Sequence, residues 1–377
     1  MPRSAPAVLL VLLVGAVVAF AGVSHLVNRF DTNQRVRGYK LYGRGLSELQ
    51  AGKKEDAIEA FRAALTCDPN NGAFQLSLAR ALRDTGDPQR LDEAQSYLES
   101  LWQRTPQDGP VNLALGRLAT RRGSVEDAVR YYHNAMYGVW SSDAADNRRK
   151  ARLELIDFLL QKGARPQAQS EIIALTASLP PNPALHLQAA QFFMDIEDYM
   201  DAFLEFEQTL HLDRNSAAAM SGAGRASYLM GHYRTAERYL QEAVRSDPQN
   251  AQARQLLETA STVLAADPFV RRISDAERNR RIVAAFQQAG QRLQSCQQSQ
   301  AINSSATVLP LSKLTDNWNA MKTQLPKLRS AEEADLPDAI MDLVFQIEQQ
   351  TASWCGPPQG IDQALLMISR DREAADQ

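Results

Sequence analysis

The sequence has few of the residues on which catalytic, metal and disulfide-rich proteins depend. Its 377 residues include three cysteines and five histidines, and no two histidines have the spacing of a zinc-protease helix. It has neither a Gly-Lys-Ser/Thr phosphate loop nor a Gly-x-Ser-x-Gly nucleophile elbow. The net charge of −3 gives no reason to expect a nucleic-acid partner. We therefore expect a protein that is not an enzyme and that uses no cofactor and no metal.

What the sequence does have is a spacing that recurs along more than half its length. A small residue is followed seven positions later by a glycine, and an alanine follows five positions after that, as in Gly45, Gly52 and Ala57. The central position recurs at 52, 86, 123, 163, 197 and 231, in steps of 34, 37, 40, 34 and 34 residues. A period near 34 residues is typical of a solenoid of paired helices.

The last copy of the pattern shows why the spacing predicts a helix pair. Its first helix is expected over about 218–230, and Gly231 follows where a left-handed backbone ends a helix. Its second helix is expected over 233–246, before Pro248. Small side chains at Gly224 and Ala236 would let the two helices approach closely.

This combination resembles the tetratricopeptide repeat (TPR) family over roughly residues 38–250. The resemblance implies an all-α solenoid of about six helix-turn-helix repeats in residues 38–266, with residues 251–266 as the capping helix. Three departures stand out. Extra residues occur in the turn around 88–91 and between repeats around 143–148, and Glu197 replaces the turn glycine of the fifth repeat.

The N-terminus carries a second signal, because every residue from Ala7 to Val23 is apolar or glycine. Residues 1–30 therefore predict one transmembrane helix that anchors the chain. A signal peptide cleaved after Ala21 is the alternative. We expect the repeats on the extracytoplasmic, periplasmic side. The arginines that follow the run, Arg29, Arg35 and Arg37, leave a cytoplasmic orientation open.

Residues 267–377 no longer follow the repeat and predict a small helical module, either independent or docked on the last repeats. Ser274 and Glu277 form the capping-box pattern of its first helix. Cys296 and Cys355 would pair as a disulfide if this region is exported, and they would otherwise be two separate thiols.

The resemblance also predicts a site, because the first helix of each repeat lines the concave face in this family. Aligning the copies by their turn glycines places seven residues in a peptide-binding groove: Tyr42, Arg80, Arg83, Arg117, Arg121, Arg225 and Tyr228. Arginines on successive helices can bind a carboxylate with two parallel hydrogen bonds. The alternative is that they pair with local acids such as Asp84. Arg80 and Arg117 stand where the family's carboxylate clamp has asparagines, so that clamp is not supported.

The sequence thus predicts a non-catalytic scaffold or adaptor that is tethered to a membrane of the bacterial envelope. Its expected partner is another protein, of which it binds a peptide segment that is acidic or C-terminal. Two alternatives remain at this stage. One is an enzyme whose active site lies in the C-terminal module near Trp318, Trp354 and Cys355, with the repeats as a recruiting arm. The other is a periplasmic chaperone released by cleavage at Ala21.

Overall fold

The computed structural model describes residues 5–299, 305–329 and 335–375, without the side chains of residues 5–12, 14, 26, 305–309, 329, 374 and 375. The chain forms two compact units, Met1–Leu175 and Thr176–Gln377, which are called here the first and the second unit. Each unit has its own hydrophobic core.

The described residues of the first unit form eight helices. They are α1 (Ala5–Gln50), α2 (Lys54–Cys67), α3 (Gly72–Arg83), α4 (Pro88–Arg104), α5 (Gly109–Arg122), α6 (Val125–Tyr137), α7 (Ala144–Gln161) and α8 (Arg165–Thr176).

The second unit continues with helices α9 to α17. They are α9 (Pro183–Asp195), α10 (Tyr199–Leu212), α11 (Ala217–Leu229), α12 (Tyr233–Ser246), α13 (Ala251–Ala266), α14 (Asp275–Gln298), α15 (Ser305–Lys322), α16 (Leu336–Cys355) and α17 (Gly360–Ala375). A short 3-10 helix covers Leu325–Arg329.

The prediction of an all-α chain of helix pairs is confirmed. Pairs from α1–α2 to α11–α12 turn at the predicted positions, and in the described residues the only β-type pairing is an isolated bridge between Asp108 and Val139. Gly123 has the expected left-handed backbone, with φ of 75°, and Glu197 takes the same conformation with φ of 67°. The fifth turn is therefore kept although a side chain makes that conformation less favourable.

The small residues of the pattern lie where the helices of a pair cross. A Cβ atom on Gly45 would lie 2.5 Å from Cε1 of Phe61, and one on Gly224 would lie 2.7 Å from Cγ of Leu240. The backbone thus fills the space next to a large side chain of the partner helix, which is the close approach that the spacing predicts.

The extra residues of the middle repeats mostly lengthen helices, which corrects the prediction that they form turns or separators. Residues 88–91 begin α4, where Pro88 suits the first helical position and the Asp87 side chain accepts a hydrogen bond from the Arg90 backbone N–H at 3.0 Å. Residues 144–148 likewise begin α7. Between α6 and α7, residues 138–143 form an irregular connection. In this connection the indole N–H of Trp140 donates to the Ala135 carbonyl at 2.8 Å.

Helix α1 runs without a break for 46 residues, from the apolar N-terminal run into the first repeat. Among the residues that the structure describes, none of the helices is long and apolar enough to cross a membrane. Residues 1–4 and several side chains of the predicted anchor lie outside the described residues. The anchor over residues 1–30 therefore stays a prediction.

The C-terminal module is docked on the last repeats, which decides between the two alternatives for its packing. Tyr233 of α12 and Val263 of α13 lie in the same core as Phe286, Ile340 and Leu365 of the module. This core therefore includes residues from both sides of the predicted boundary at 266–267.

Candidate functional site

The predicted groove residues are divided between the two units. Arg225 and Tyr228 lie on α11 of the second unit, where Arg225 is exposed and the ring of Tyr228 packs edge-on against Tyr233 at 5.7 Å. In the first unit, the hydroxyl of Tyr42 lies 3.2 Å from Oγ of Ser77 and its ring stacks on Phe74. Tyr42 thus contributes to helix packing as well as to the predicted surface.

Four predicted arginines of the first unit, Arg80, Arg83, Arg117 and Arg121, form what is called here the basic cluster. Three of them line a pocket of about 280 Å³, named here the basic pocket. Its walls come from α3, α5, α6 and α7: Arg83, Asp84, Arg117, Thr120, Arg121, Tyr132, Glu154, Asp157, Phe158 and Gln161. Three of the four arginines that the sequence placed on two successive repeats, Arg83, Arg117 and Arg121, therefore meet at one cavity.

Arg117 and Glu154 form a two-pronged ion pair in the wall of the basic pocket. Nε and Nη2 of Arg117 each donate to one carboxylate oxygen of Glu154 at 2.7 Å. The Tyr132 hydroxyl donates to the same carboxylate at 3.3 Å. The hydrogen bond to Glu154 raises the pKa of Arg117, and burial raises the pKa of Tyr132 to about 12. Tyr132 therefore stays a neutral hydrogen-bond donor at physiological pH.

Arg83 is less completely satisfied. Its Nε and Nη2 donate to Oδ1 of the adjacent Asp84 at 2.8 and 2.6 Å. Its Nη1 is buried and has no hydrogen-bond partner among the described residues, and 11% of the side chain is exposed. The predicted alternative, pairing with local acids such as Asp84, thus holds for part of this guanidinium.

Arg80 has the fewest partners in the basic cluster. Its one hydrogen bond within the described chain is long, from Nη2 to the Pro110 carbonyl at 3.5 Å, and its buried Nε has none. Burial, followed by repulsion from Arg117 and Arg83, lowers the pKa of this guanidinium. An unpaired cation beside two others attracts an anion, because a negative charge would relieve both burial and repulsion.

Sequence reasoning missed Glu154 as a member of this site, although a signal was present. Glu154 lies two positions before the first small-residue position of its repeat. The equivalent positions in the other copies carry uncharged residues: Gly43, Ser77, Ala114, Gln188 and Gly222. A charged residue at one copy of an otherwise uncharged position indicates a local role.

In the C-terminal module the structure joins Cys296 and Cys355 in a disulfide, with Cα atoms 5.5 Å apart. The link connects the last turns of α14 and α16. Trp318 stacks on Phe286 with ring centroids 5.3 Å apart, and its N–H donates to the Phe286 carbonyl at 3.1 Å. Two of the residues considered for an active site, Trp318 and Cys355, thus serve packing and cross-linking.

The same module buries a carboxyl group, that of Glu348, completely. Neither of its oxygens has a hydrogen-bond partner in the described chain. Burial and the nearby Asp362 raise the pKa of Glu348 to about 8. Within the described residues, no three His, Cys, Asp or Glu side chains are grouped as metal ligands.

Two family models match the chain. One is described as the TPR domain of cytochrome c-type biogenesis protein H and matches residues 30–148, in the first unit. The other is described as a tetratricopeptide repeat and matches residues 194–259, in the second unit. The chain therefore carries tetratricopeptide repeats, as its spacing predicts. No curated protein matches the chain.

Solved structures of TPR proteins are also similar. PilF of Pseudomonas aeruginosa is 18% identical, with 59% of this chain and 97% of that chain covered and a TM-score of 0.40. The C-terminal part of a TPR repeat-containing protein of Cytophaga hutchinsonii is 16% identical, with 64% and 92% covered and a TM-score of 0.46. YrrB, described as a TPR protein with an unusual peptide-binding site, is 14% identical, with 52% and 97% covered and a TM-score of 0.40. These similarities say nothing about what this chain binds.

Proposed function

We propose that this chain is a non-catalytic scaffold whose repeats bind a carboxylate-bearing peptide segment of a partner protein at the basic cluster. The observation that carries the proposal is the incomplete pairing of Arg80 and Arg83. Both have a buried guanidinium N–H without a partner in the described residues. Leaving such donors unsatisfied is costly, and a carboxylate bound beside these guanidinium groups would offset that cost.

The position of the cluster suits a peptide better than a small metabolite. Arg80 and Arg83 lie on α3, and Arg117 and Arg121 lie on α5, so the charges come from the first helices of two successive repeats. The basic pocket, at about 280 Å³, has room for a side chain or a chain terminus. The rest of a bound segment would then extend over neighbouring repeats.

A membrane tether is the second part of the proposal, and it rests on the sequence. The run from Ala7 to Val23 has close to the length that a spanning helix needs. Tethering would hold the repeats near membrane-bound partners at a raised local concentration. The match of residues 30–148 to the TPR domain of cytochrome c-type biogenesis protein H supports a role in the biogenesis of another protein.

The disulfide between Cys296 and Cys355 supports an extracytoplasmic location for the repeats. Stable disulfides form in oxidising compartments such as the bacterial periplasm. Fractionation of cells that express the full chain, with the mass of the mature protein, tests the tether. Recovery in the membrane fraction at full mass is expected. A soluble product that begins at Gly22 would instead favour the released chaperone.

Peptide binding is tested by fluorescence anisotropy with a labelled acidic peptide whose ends are both blocked. The double variant Arg80→Gln/Arg117→Gln removes two charges of the basic cluster and is expected to weaken binding by at least about tenfold. Arg62→Gln/Arg90→Gln is the matched control, because these arginines pair with Glu93 and Glu55 and do not line the basic pocket. Equal affinities of the two double variants would overturn the proposal.

A further inference from the structure

Two arginine–glutamate pairs of the first unit both have two hydrogen bonds to one carboxylate, but they lie in different surroundings. Arg90 donates to both oxygens of Glu55 at 2.6 and 2.9 Å, and Arg117 donates to both oxygens of Glu154 at 2.7 Å. The Glu55 side chain is 67% exposed, whereas that of Glu154 is 27% exposed. Only the second pair lines the basic pocket.

The Arg117–Glu154 pair uses the Nε–Nη2 edge of the guanidinium, whereas Arg90 binds Glu55 through Nη1 and Nη2. Nε and Nη2 form a planar fork whose two parallel N–H bonds match the two oxygens of one carboxylate. A second carboxylate cannot use that edge at the same time. The carboxylate of Glu154 therefore stands where the acidic group of a ligand would bind.

We infer that Glu154 is a built-in occupant of the carboxylate site, and that a partner binds by displacing the Glu154 carboxylate from Arg117 with a carboxylate of its own. The inference rests on the proposed function and adds to it the chemistry of the ligand and the group that competes with it. Tyr132 completes the site, since its hydroxyl donates to whichever carboxylate is bound to Arg117.

The competition sets the affinity of the site. A partner binds only the fraction of molecules in which Glu154 has left Arg117, so its apparent affinity is reduced by that fraction. If Glu154 holds the site about nine-tenths of the time, its removal tightens binding by about tenfold. Such competition would also reject partners that carry no carboxylate, because they cannot replace the two hydrogen bonds that Glu154 gives up.

Glu154→Gln tests the inference, because glutamine keeps the size of the side chain and removes its charge. The full chain is measured by anisotropy with three labelled peptides: an acidic peptide with both ends blocked, an apolar peptide with a free C-terminal carboxylate, and the same apolar peptide amidated. Glu55→Gln is the matched control, since it also breaks an arginine–glutamate pair with two hydrogen bonds, but outside the pocket.

E154Q is expected to bind at least one carboxylate peptide about tenfold more tightly than the unmodified chain, while E55Q does not change affinity. Whichever of the first two peptides gains affinity identifies the source of the carboxylate, and the amidated peptide should gain none. If E154Q does not fold, E154D serves, because its shorter side chain cannot keep both hydrogen bonds to Arg117.

Two contrary results are distinguishable. If carboxylate peptides bind the unmodified chain and lose affinity in Arg117→Gln, but E154Q binds them no more tightly, the inference is overturned and the proposed function stands. If no carboxylate peptide binds any variant, both are overturned.

Discussion

The basic pocket of the first unit and the core of the C-terminal module place a glutamate under opposite conditions. Glu154 is partly exposed and meets a guanidinium that fits both of its oxygens. Glu348 is fully buried, and the nearby Arg292 donates to the Gly356 carbonyl at 2.6 Å instead. Glu154 thus has a cationic partner for both oxygens, whereas burial without a hydrogen-bond partner favours the neutral form of Glu348. The two glutamates show that the same side chain is accommodated by ion pairing at the pocket and by burial in the module.

The largest effect is expected from opening the disulfide that ties the ends of α14 and α16. The link joins cysteines 59 residues apart, so Cys296→Ser/Cys355→Ser should lower the free energy of unfolding of the second unit by about 4 kcal/mol. Urea unfolding with and without a reductant measures this change. Cys67→Ser is the control, because Cys67 is a free cysteine of the first unit. A loss confined to the first unit would contradict the prediction.

The next largest effect is expected in the pH dependence of stability, and it comes from the buried carboxyl group of Glu348. The pKa of Glu348 is raised from 4.5 to about 8, so the folded chain holds a proton that the unfolded chain releases. Stability should therefore fall as the pH rises from about 5 to about 8, and change little from this group outside that window. Glu348→Leu should remove this slope and add about 2 kcal/mol near the upper end of the window. Unfolding midpoints measured across this pH window test whether stability falls as the pH rises. A steeper dependence on pH in the variant would refute the prediction.

A smaller loss of stability is expected where a methyl group is added at a close helix contact in each of the two regions. A Cβ atom on Gly45 would lie 2.5 Å from the Phe61 ring, and one on Gly290 would lie 2.7 Å from Nε1 of Trp318. Gly45→Ala and Gly290→Ala should each destabilise their own unit by about 1–3 kcal/mol, because the large neighbour must shift. Thermal unfolding of both variants is the measurement. Gly43→Ala is the control, since nothing lies within 4 Å of a Cβ atom there.

The smallest effect is expected at the helix N-termini of the two regions. The Asn71 side chain accepts from the backbone N–H groups of Ala73 and Phe74, and the Ser274 hydroxyl accepts from that of Glu277. Asn71→Ala and Ser274→Ala should each lower stability by about 1 kcal/mol. Chemical unfolding resolves a change of this size. A much larger loss at either position would mean that the helix start has a tertiary role.

Much of the fold could be predicted from residue spacing, because a TPR is a local unit. The glycine at each turn and the small residues at each crossing depend on neighbours within one repeat, so Gly45, Gly123 and Gly224 indicate structure directly. The structure of the added residues at 88–91 is harder to predict, because a longer helix and a longer turn differ little in composition. Here Asp87 as cap and Pro88 at the first position decide for the helix.

The site could be predicted only in part. Spacing along the chain placed Arg83, Arg117 and Arg121 on the first helices of two repeats, and the structure brings them to one pocket. Which acids pair with them could not be read from the sequence, because Glu154 lies 37 residues from Arg117 and the pairing depends on how two repeats stack. The raised pKa of Glu348 depends on its burial in the packed module, which the sequence does not show either.

The length of α1 has a mechanical consequence. At about 1.5 Å per residue, its 46 residues form a rod of about 69 Å that ends inside the first repeat, where Tyr42 packs on Phe61 and Phe74. A flexible linker would limit only the distance of the first repeat from the N-terminal end of α1, whereas a rigid helix also fixes the orientation of the repeat. If the N-terminal end of α1 is held in place, both the distance of the first repeat from that end and its rotation about the helix axis are fixed. A partner would then meet the basic pocket from a defined direction.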